Sequence, residues 1–374
     1  MIWEALFWAG LAVVVTSYAG YAVWAAALAR VRPRPCRAEY LPDDRLPRVT
    51  CVLAAADEAA MIGRKLDALA GQDYPADRIS IVVVSDASTD GTDTIVAARA
   101  AGDPRIRLLR TPARRGKPSA LNLARPALDG DVVVFMDVRQ AIGPAALREL
   151  VAPLADPAVG VVSGDLRVRG DAYWTYEAFV RCCESRSGSM VQVTGSLYAL
   201  RARDVPVVPA DTILDDVFVP LSVALTGRRI VMAERAQSLD VATRSLGHEF
   251  QRKVRMLAGL VQICHSVPGC LSPRRNPVWS RFVVHKLSRL ACPHALLVML
   301  LASWLAPRWP YRLAFAAALS LALVALAGRL GRPSRLASIT QSLLALNLAA
   351  LWAVPSYYLG RSRVTWARVE TDRA

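Results

Sequence analysis

Uncharged apolar runs bracket the chain. Residues 5–29 and 336–360 each hold 25 residues without a charge, and shorter runs lie at 291–307 and 313–328. At ~1.5 Å of rise per residue, 25 residues exceed the ~30 Å hydrocarbon layer of a bilayer. The pattern therefore predicts an N-terminal transmembrane helix over 1–30 and about three more over 291–360. Glu4 stands at the start of the first run and the arginines follow it, which reads as a retained anchor rather than a cleaved leader. Residues 31–48 are rich in Pro and charge and read as a linker along the membrane surface. From 49 to 248 short apolar stretches alternate with helical periods. Strands are predicted at 49–55, 79–85, 106–110, 131–137, 159–166 and 229–234, and helices at 58–71, 91–101, 118–127 and 144–154. Strands that are apolar at every position are buried on both faces, so the fold class is α/β with a mostly parallel, doubly wound sheet. Over 249–265, Phe250, Val254, Leu257, Val261 and Cys264 recur at helical spacing, with Arg252, Lys253 and Arg255 off that face. Residues 249–290 read as amphipathic interfacial helices and 361–374 as a basic tail.

Charge sharpens the membrane reading. The net charge is +15 over 374 residues, with 54% hydrophobic residues. Arg30, Arg32, Arg34 and Arg37 follow the first run, and residues 249–290 carry eight Lys or Arg against one acid. Because this charge follows the membrane boundaries, a nucleic-acid partner is not expected. The positive-inside bias instead places the middle of the chain in the cytoplasm, under a multi-pass protein of the inner or plasma membrane. The tail resists this topology: three C-terminal spans would leave Arg361, Arg363, Arg368 and Arg373 outside. The seven cysteines show no metal-ligand spacing and read as reduced thiols.

In open α/β sheets ligands sit beyond the carboxyl ends of the strands, so polar residues there carry the candidate chemistry. Asp57-Glu58 ends the first strand. Asp86 follows the second, where a carboxylate can bind a base or ribose; Asp90 reads as a helix cap. Gly116 frees the backbone before a helix and puts Lys117 at its N-terminus, a phosphate-binding position. GxGxxG and GxxxxGK[ST] are both absent, which disfavours dehydrogenases and phosphate-binding-loop NTPases. Asp137 ends the fourth strand, where a carboxylate can hold a divalent metal on a diphosphate. Arg139, two residues on, can meet a diphosphate through its guanidinium fork. Asp215 and Asp216 are adjacent acids before a predicted helix; their repulsion can raise one pKa and make a base, and an ordinary helix cap uses the same residue type.

Taken in order, these clusters resemble glycosyltransferase family 2 over roughly residues 49–258. That family includes cellulose, hyaluronan and chitin synthases and bacterial exopolysaccharide synthases. The resemblance implies the GT-A (nucleotide-diphospho-sugar transferase) fold, an inverting transfer from a nucleotide-sugar donor, and a saccharide or lipid-linked acceptor at the bilayer. It aligns Asp57-Glu58 with the nucleotide-site pair, Asp86-Ala87-Ser88 with an Asp-Gly-Ser turn, and Gly116-Lys117 with a Gly-Lys pair near the diphosphate. Asp137-Val138-Arg139 falls on the metal and nucleotide DxD motif, and Thr194-Gly195-Ser196 on the acceptor-side turn. Asp216 takes the place of the general base, with Asp215 before it. The QxxRW motif of processive synthases falls on Arg252-Lys253-Val254-Arg255-Met256.

The departures bear on mechanism. The family implies a divalent metal, Mg²⁺ or Mn²⁺, at Asp137, yet Arg139 replaces the second carboxylate. Arg252 and Met256 replace the Gln and Trp that accompany processive synthesis, while Arg255 is kept. A single-sugar transferase and a processive synthase both remain open. The alternative from another class is a non-catalytic subunit that binds nucleotide-sugar or scaffolds a membrane synthase.

Overall fold

A computed structural model describes residues 1–169, 172–241, 246–330 and 334–361. The described residues divide into two compact units: 1–24, 246–264, 280–330 and 334–361 form one, and 25–169, 172–241 and 265–279 the other.

The second unit is built on an eight-stranded sheet. Its strands are β1 (Val49–Ala55), β2 (Ile79–Ser85), β3 (Ile106–Arg110), β4 (Val132–Asp137), β5 (Ala141–Ile142), β6 (Val159–Arg169), β7 (Leu197–Arg201) and β8 (Arg229–Val241). They lie in the order β3-β2-β1-β4-β7-β6-β8-β5. β1 is buried at all seven positions, as expected of a strand covered on both faces. β3, β2, β1 and β4 run parallel, whereas β7 runs antiparallel to both β4 and β6. The predicted strands all form; β1 to β4 keep nearly the expected limits, whereas β6 runs on to Arg169 and β8 to Val241, well past the expected ends at 166 and 234. β5 and β7 were not foreseen: β5 has only two residues, and β7 pairs antiparallel with β4 and β6, outside the parallel pattern that the other short strands follow.

Helices α3 (Ala59–Ala70), α4 (Thr92–Gly102), α5 (Lys117–Ala124) and α6 (Ala146–Val151) fall where the spacing placed them. α7 (Ala172–Arg186) and α8 (Asp215–Ala224) complete this unit. α3 turns Ile62, Leu66 and Leu69 into the core beside β1. The segment 31–48, expected to follow a membrane surface, is tied to the sheet unit. The Arg34 N–H donates to Arg186 O at 2.7 Å, the Glu39 N–H to Ala152 O at 3.0 Å, and the Tyr40 hydroxyl to Glu149 at 2.8 Å. The physical reason is its extended Pro-rich backbone, which leaves donors and acceptors free to pair with the domain.

The other unit is helical. α1 (Ile2–Val15) passes through a π-helical turn at Thr16–Gly20 into α2 (Tyr21–Val31). α9 (Leu246–Ser266) follows the sheet unit. α10 (Trp279–Arg281) passes through a second π-helical turn, Phe282–Leu287, into α11 (Ser288–Leu305), and α12 (Trp309–Leu330) and α13 (Arg335–Tyr358) come last. Four stretches are long and apolar enough to cross a membrane: Ile2–Val31, Trp279–Leu305, Trp309–Gly328 and Leu336–Tyr358. The second begins twelve residues before the predicted run at 291, because the helix continues unbroken through Arg281, Lys286 and Arg289. α1 packs on α11 closely enough that a Cβ on Gly10 would stand 2.9 Å from Ala295 O, and Tyr21 stacks on His285 with centroids 4.8 Å apart. The expected tail, 361–374, lies beyond the described residues after Arg361.

Candidate active site

The rim at the carboxyl ends of β1, β2 and β4 gathers most of the predicted residues. Its backbone is shaped by three left-handed positions: Asp57 at φ 56°, Ala87 at φ 51° and Gly116 at φ 86°. Gly116 also has ψ 167°, a region open to glycine alone. Left-handed Asp57 and Ala87 turn the chain sharply as it leaves β1 and β2, so both loops stay at the rim.

Asp86 is fully buried. Its carboxylate accepts from the Arg115 N–H at 2.8 Å, the Gly116 N–H at 2.7 Å and the Thr111 hydroxyl at 2.9 Å. Expected to meet a base, it is in this structure the group that holds the 111–116 loop. Asp57 accepts from the Thr89 N–H at 2.8 Å and pairs with Arg114 at 2.7 Å.

Glu58 and Arg139 form an ion pair, with Arg139 Nε 2.6 Å from Glu58 Oε1. Burial pushes the Glu58 carboxyl up, against the pull of Arg139. Arg139 was expected to reach a diphosphate directly; here its guanidinium is engaged by a carboxylate 81 positions away in sequence. That engagement neutralises the replacement at the second DxD position.

Lys117 is the centre of the cluster. Its ammonium lies 2.8 Å from Asp137 Oδ1, 3.3 Å from Asp215 Oδ2 and 3.2 Å from Gly195 O. Burial alone would lower its pKa, but the Asp137 and Asp215 carboxylates outweigh it and hold the ammonium well above the usual lysine range. A Cβ on Gly195 would stand 3.5 Å from the Asp216 Cβ and 3.7 Å from Lys117 Nζ. Asp137, Lys117, Gly195, Asp215 and Asp216 therefore share one site. Ser196 adjoins it: its carbonyl accepts from the Asp137 N–H at 3.2 Å, and its hydroxyl bonds Ser238 at 2.9 Å.

Arg252 and Arg255 lie on α9, in the other unit. Arg252 stands 3.7 Å from Glu249, one turn away.

Two contributors were not foreseen. Lys65, on the apolar stripe of α3, is buried and donates to the Gln140 carbonyl at 2.6 Å, beneath the Asp137–Gln140 turn. Burial lowers its pKa to about 8, against the pull of Asp137. A lone lysine among Ile62, Leu66 and Leu69 was the available signal. Tyr198 of β7 is fully buried beside Phe135, and its phenol is pushed up by burial and by Asp215.

Among the described residues no three His, Cys, Asp or Glu side chains converge on one point. Mg²⁺ and Mn²⁺ nevertheless need only one or two carboxylates where phosphate oxygens and water complete the shell. Asp137, whose side chain is 37% exposed, meets that requirement for an ion that arrives with a nucleotide.

The chain matches the description Glycosyl transferase family 2 over residues 50–186 and Glycosyl transferase family group 2 over residues 132–330, the latter more than half its length. The chain belongs to glycosyl transferase family 2. Relatives of this family-2 chain include a beta-monoglucosyldiacylglycerol synthase of Synechocystis, 32% identical over 34% of this chain and 28% of that protein. An N-acetylglucosaminyltransferase of Rhizobium sp. is 28% identical over 41% of this chain and 36% of that protein. The matched stretch thus spans about a third of these relatives' own length. Among solved structures, a mannosyltransferase of Pyrobaculum calidifontis in complex with GDP-Man and Mn²⁺ superposes with a TM-score of 0.75 at 25% identity. It covers 95% of this chain and 99% of its own. The fold is the GT-A fold expected from the sequence.

Proposed function

We propose that this family-2 chain is a membrane-embedded, inverting glycosyltransferase that moves a sugar from a nucleotide-diphosphate donor to a saccharide or lipid-linked acceptor. The observation that carries the reading is Lys117, whose ammonium lies within 3.3 Å of both Asp137 and Asp215 and so joins the donor-side strand end to the acid pair. The solved mannosyltransferase with GDP-Man supports a nucleotide-sugar donor, and the relatives named for a glycolipid and for N-acetylglucosamine transfer support a lipid or saccharide acceptor.

The mechanism is a single displacement. Asp216 takes the proton of the acceptor hydroxyl as that oxygen attacks the anomeric carbon, and the nucleoside diphosphate leaves from the opposite face. An α-linked donor then gives a β-glycoside. Lys117 is positioned to offset charge on the departing diphosphate, and Asp86 keeps Lys117 in place by fixing the loop before it. Asp57 and Glu58 line the nucleotide side, with Arg114 and Arg139 as their counter-charges. A divalent ion held by Asp137 and the diphosphate would add Lewis-acid stabilisation of the same leaving group. Arg252 and Arg255 are proposed as further diphosphate contacts on the basis of the QxxRW position alone.

Residues 49–248 form the catalytic domain in this reading, on the cytoplasmic side. Residues 249–290 approach the interface, and the four long apolar helices cross the membrane. Asp216→Asn tests the core of the proposal. With purified protein in detergent and a screen of UDP- and GDP-sugars in Mg²⁺ or Mn²⁺, nucleoside diphosphate binding persists and transfer is lost. Transfer by that variant at the native rate would remove Asp216 as the base.

A further inference from the structure

Three polar side chains along α3 bond the segment that leaves Asp137. Glu58 stands at the start of α3, Lys65 within it and Gln72 just past its end. They are seven residues apart, about two helical turns, and so fall along one side of the helix. All three are buried, Lys65 to 3% exposure. Each holds a successive point of residues 139–147. Glu58 Oε1 accepts from Arg139 Nε at 2.6 Å, and Lys65 Nζ donates to the Gln140 carbonyl at 2.6 Å. The Gln72 amide donates to the Gly143 carbonyl at 3.0 Å, and its oxygen accepts from the Leu147 N–H at 3.2 Å. α3 is thus a template on which the chain after Asp137 is laid in register.

The opposite edge of the same segment is tied to the sheet. β5 pairs with β8, the Gln140 side-chain amide donates to Asp240 at 2.8 Å, and the Asp137 N–H donates to Ser196 O at 3.2 Å. Lys65 supplies the hold on the main chain of the turn from the α3 side. It breaks the rule of its surroundings, because Ile62, Leu66 and Leu69 of the same helix belong to the core. An apolar side chain of equal length would suit that place, and burying an ammonium there is costly. What the cation adds is a charge-assisted bond to a carbonyl three residues after Asp137, stronger than a neutral donor would make. Positions where a core rule is broken are where function is expected to be the compensation.

We propose that Lys65 is a positioning residue for the donor: by holding the Gln140 carbonyl it fixes the turn from Asp137 to Gln140, so that the Asp137 carboxylate and the Arg139–Glu58 pair present one arrangement to the diphosphate. Lys65 touches no substrate, and its effect passes through the turn. The inference rests on the reading of Asp137 as a diphosphate-side residue.

The test uses the full chain in detergent, with UDP or GDP in Mg²⁺ or Mn²⁺ as the probe. Lys65→Met keeps the length of the side chain and removes its donor. The expected result is UDP or GDP affinity weakened by about tenfold in calorimetry and amide exchange over 138–142 faster by about tenfold, while the melting temperature without nucleotide at pH 7 does not fall. Gln72→Leu, at the far end of the template, does the reverse: the melting temperature falls and nucleotide affinity stays within about twofold of native. Lys65→Arg returns a donor to the site, and its affinity lies nearer the native value than that of Lys65→Met, whatever its added bulk does to stability. Native affinity in Lys65→Met overturns the inference. So does a Lys65→Met that melts well below the native protein, as a merely structural lysine requires, and so does an equal loss of affinity in Lys65→Arg and Lys65→Met. Asp137→Asn run alongside separates the levels: unchanged nucleotide affinity there removes the diphosphate-side reading and this inference with it, whereas a weakened Asp137→Asn beside a native Lys65→Met removes the inference alone.

Discussion

Replacing Asp86 by Asn keeps the shape of the side chain and alters one of the two oxygens that hold the 111–116 loop. Asp86 Oδ1 serves the Arg115 N–H and the Thr111 hydroxyl, and Oδ2 serves the Gly116 N–H. In the best orientation the amide oxygen keeps the first two and the new NH₂ faces the Gly116 N–H, donor against donor. A hydrogen bond to an ionised partner is worth ~1.5–3 kcal/mol, and the retained pair also weakens when the charge is gone, so the loss is about 3–5 kcal/mol. Because the loop can release locally, this appears as disorder around Lys117 more than as global unfolding. The expected results are faster amide exchange over 111–117 by mass spectrometry and UDP or GDP affinity weakened by at least about tenfold in calorimetry. Unchanged exchange over 111–117, together with a changed preference between UDP and GDP, would refute the reasoning and make Asp86 a reader of the base.

Further outcomes follow from single residues. Lys65 has a folded pKa of about 8 against 10.5 for an unhindered lysine, so its burial weighs on the folded state in full below pH 8 and is relieved as pH rises from 8 through 10.5. That is about 3 kcal/mol of stability gained relative to Lys65→Met, measured as a pH-dependent difference in chemical denaturation midpoints; parallel pH curves for the two proteins would contradict it. Ala87 occupies a left-handed position, so Ala87→Gly is neutral to stabilising by up to about 1 kcal/mol and Ala87→Val destabilises by at least about as much. Equal melting temperatures for the two variants would count against strain there. Gly195→Ala adds a methyl at ordinary contact distances of 3.5–3.8 Å from Asp216 and Lys117, so the melting temperature holds while transfer falls by about tenfold or more. Native kcat in that variant would take Gly195 away from the acceptor path.

The parallel half of the sheet was legible because β1, β2 and β4 are apolar at almost every position, a pattern that few arrangements besides a doubly covered strand explain. Lys117 was legible because Gly116 marks a helix start. Tyr198 was not, since its burial against Phe135 depends on β7 pairing backwards along β4, a contact that no local period announces. The partner of Arg139 was equally hidden. Asp137-Val138-Arg139 shows that a carboxylate is missing, but only the fold shows that Glu58, at the end of β1, meets the guanidinium that replaced it. Asp86 was found by position and read by residue type, and its three loop donors lie beyond what its neighbours in sequence reveal.

β7 runs against the strands on either side of it, and Leu197 at its start pairs with Met136 next to Asp137. The loops after β1, β2 and β4 reach the rim as strands end, whereas residues 194–196 reach the same rim as a strand begins. The two partners of the reaction are thus served by separately supplied loops on one frame. Changes in length or sequence before residue 194 can re-tailor the receiving side while the nucleotide side keeps its register, so divergence of acceptor is expected to outpace divergence of donor among chains built on this plan.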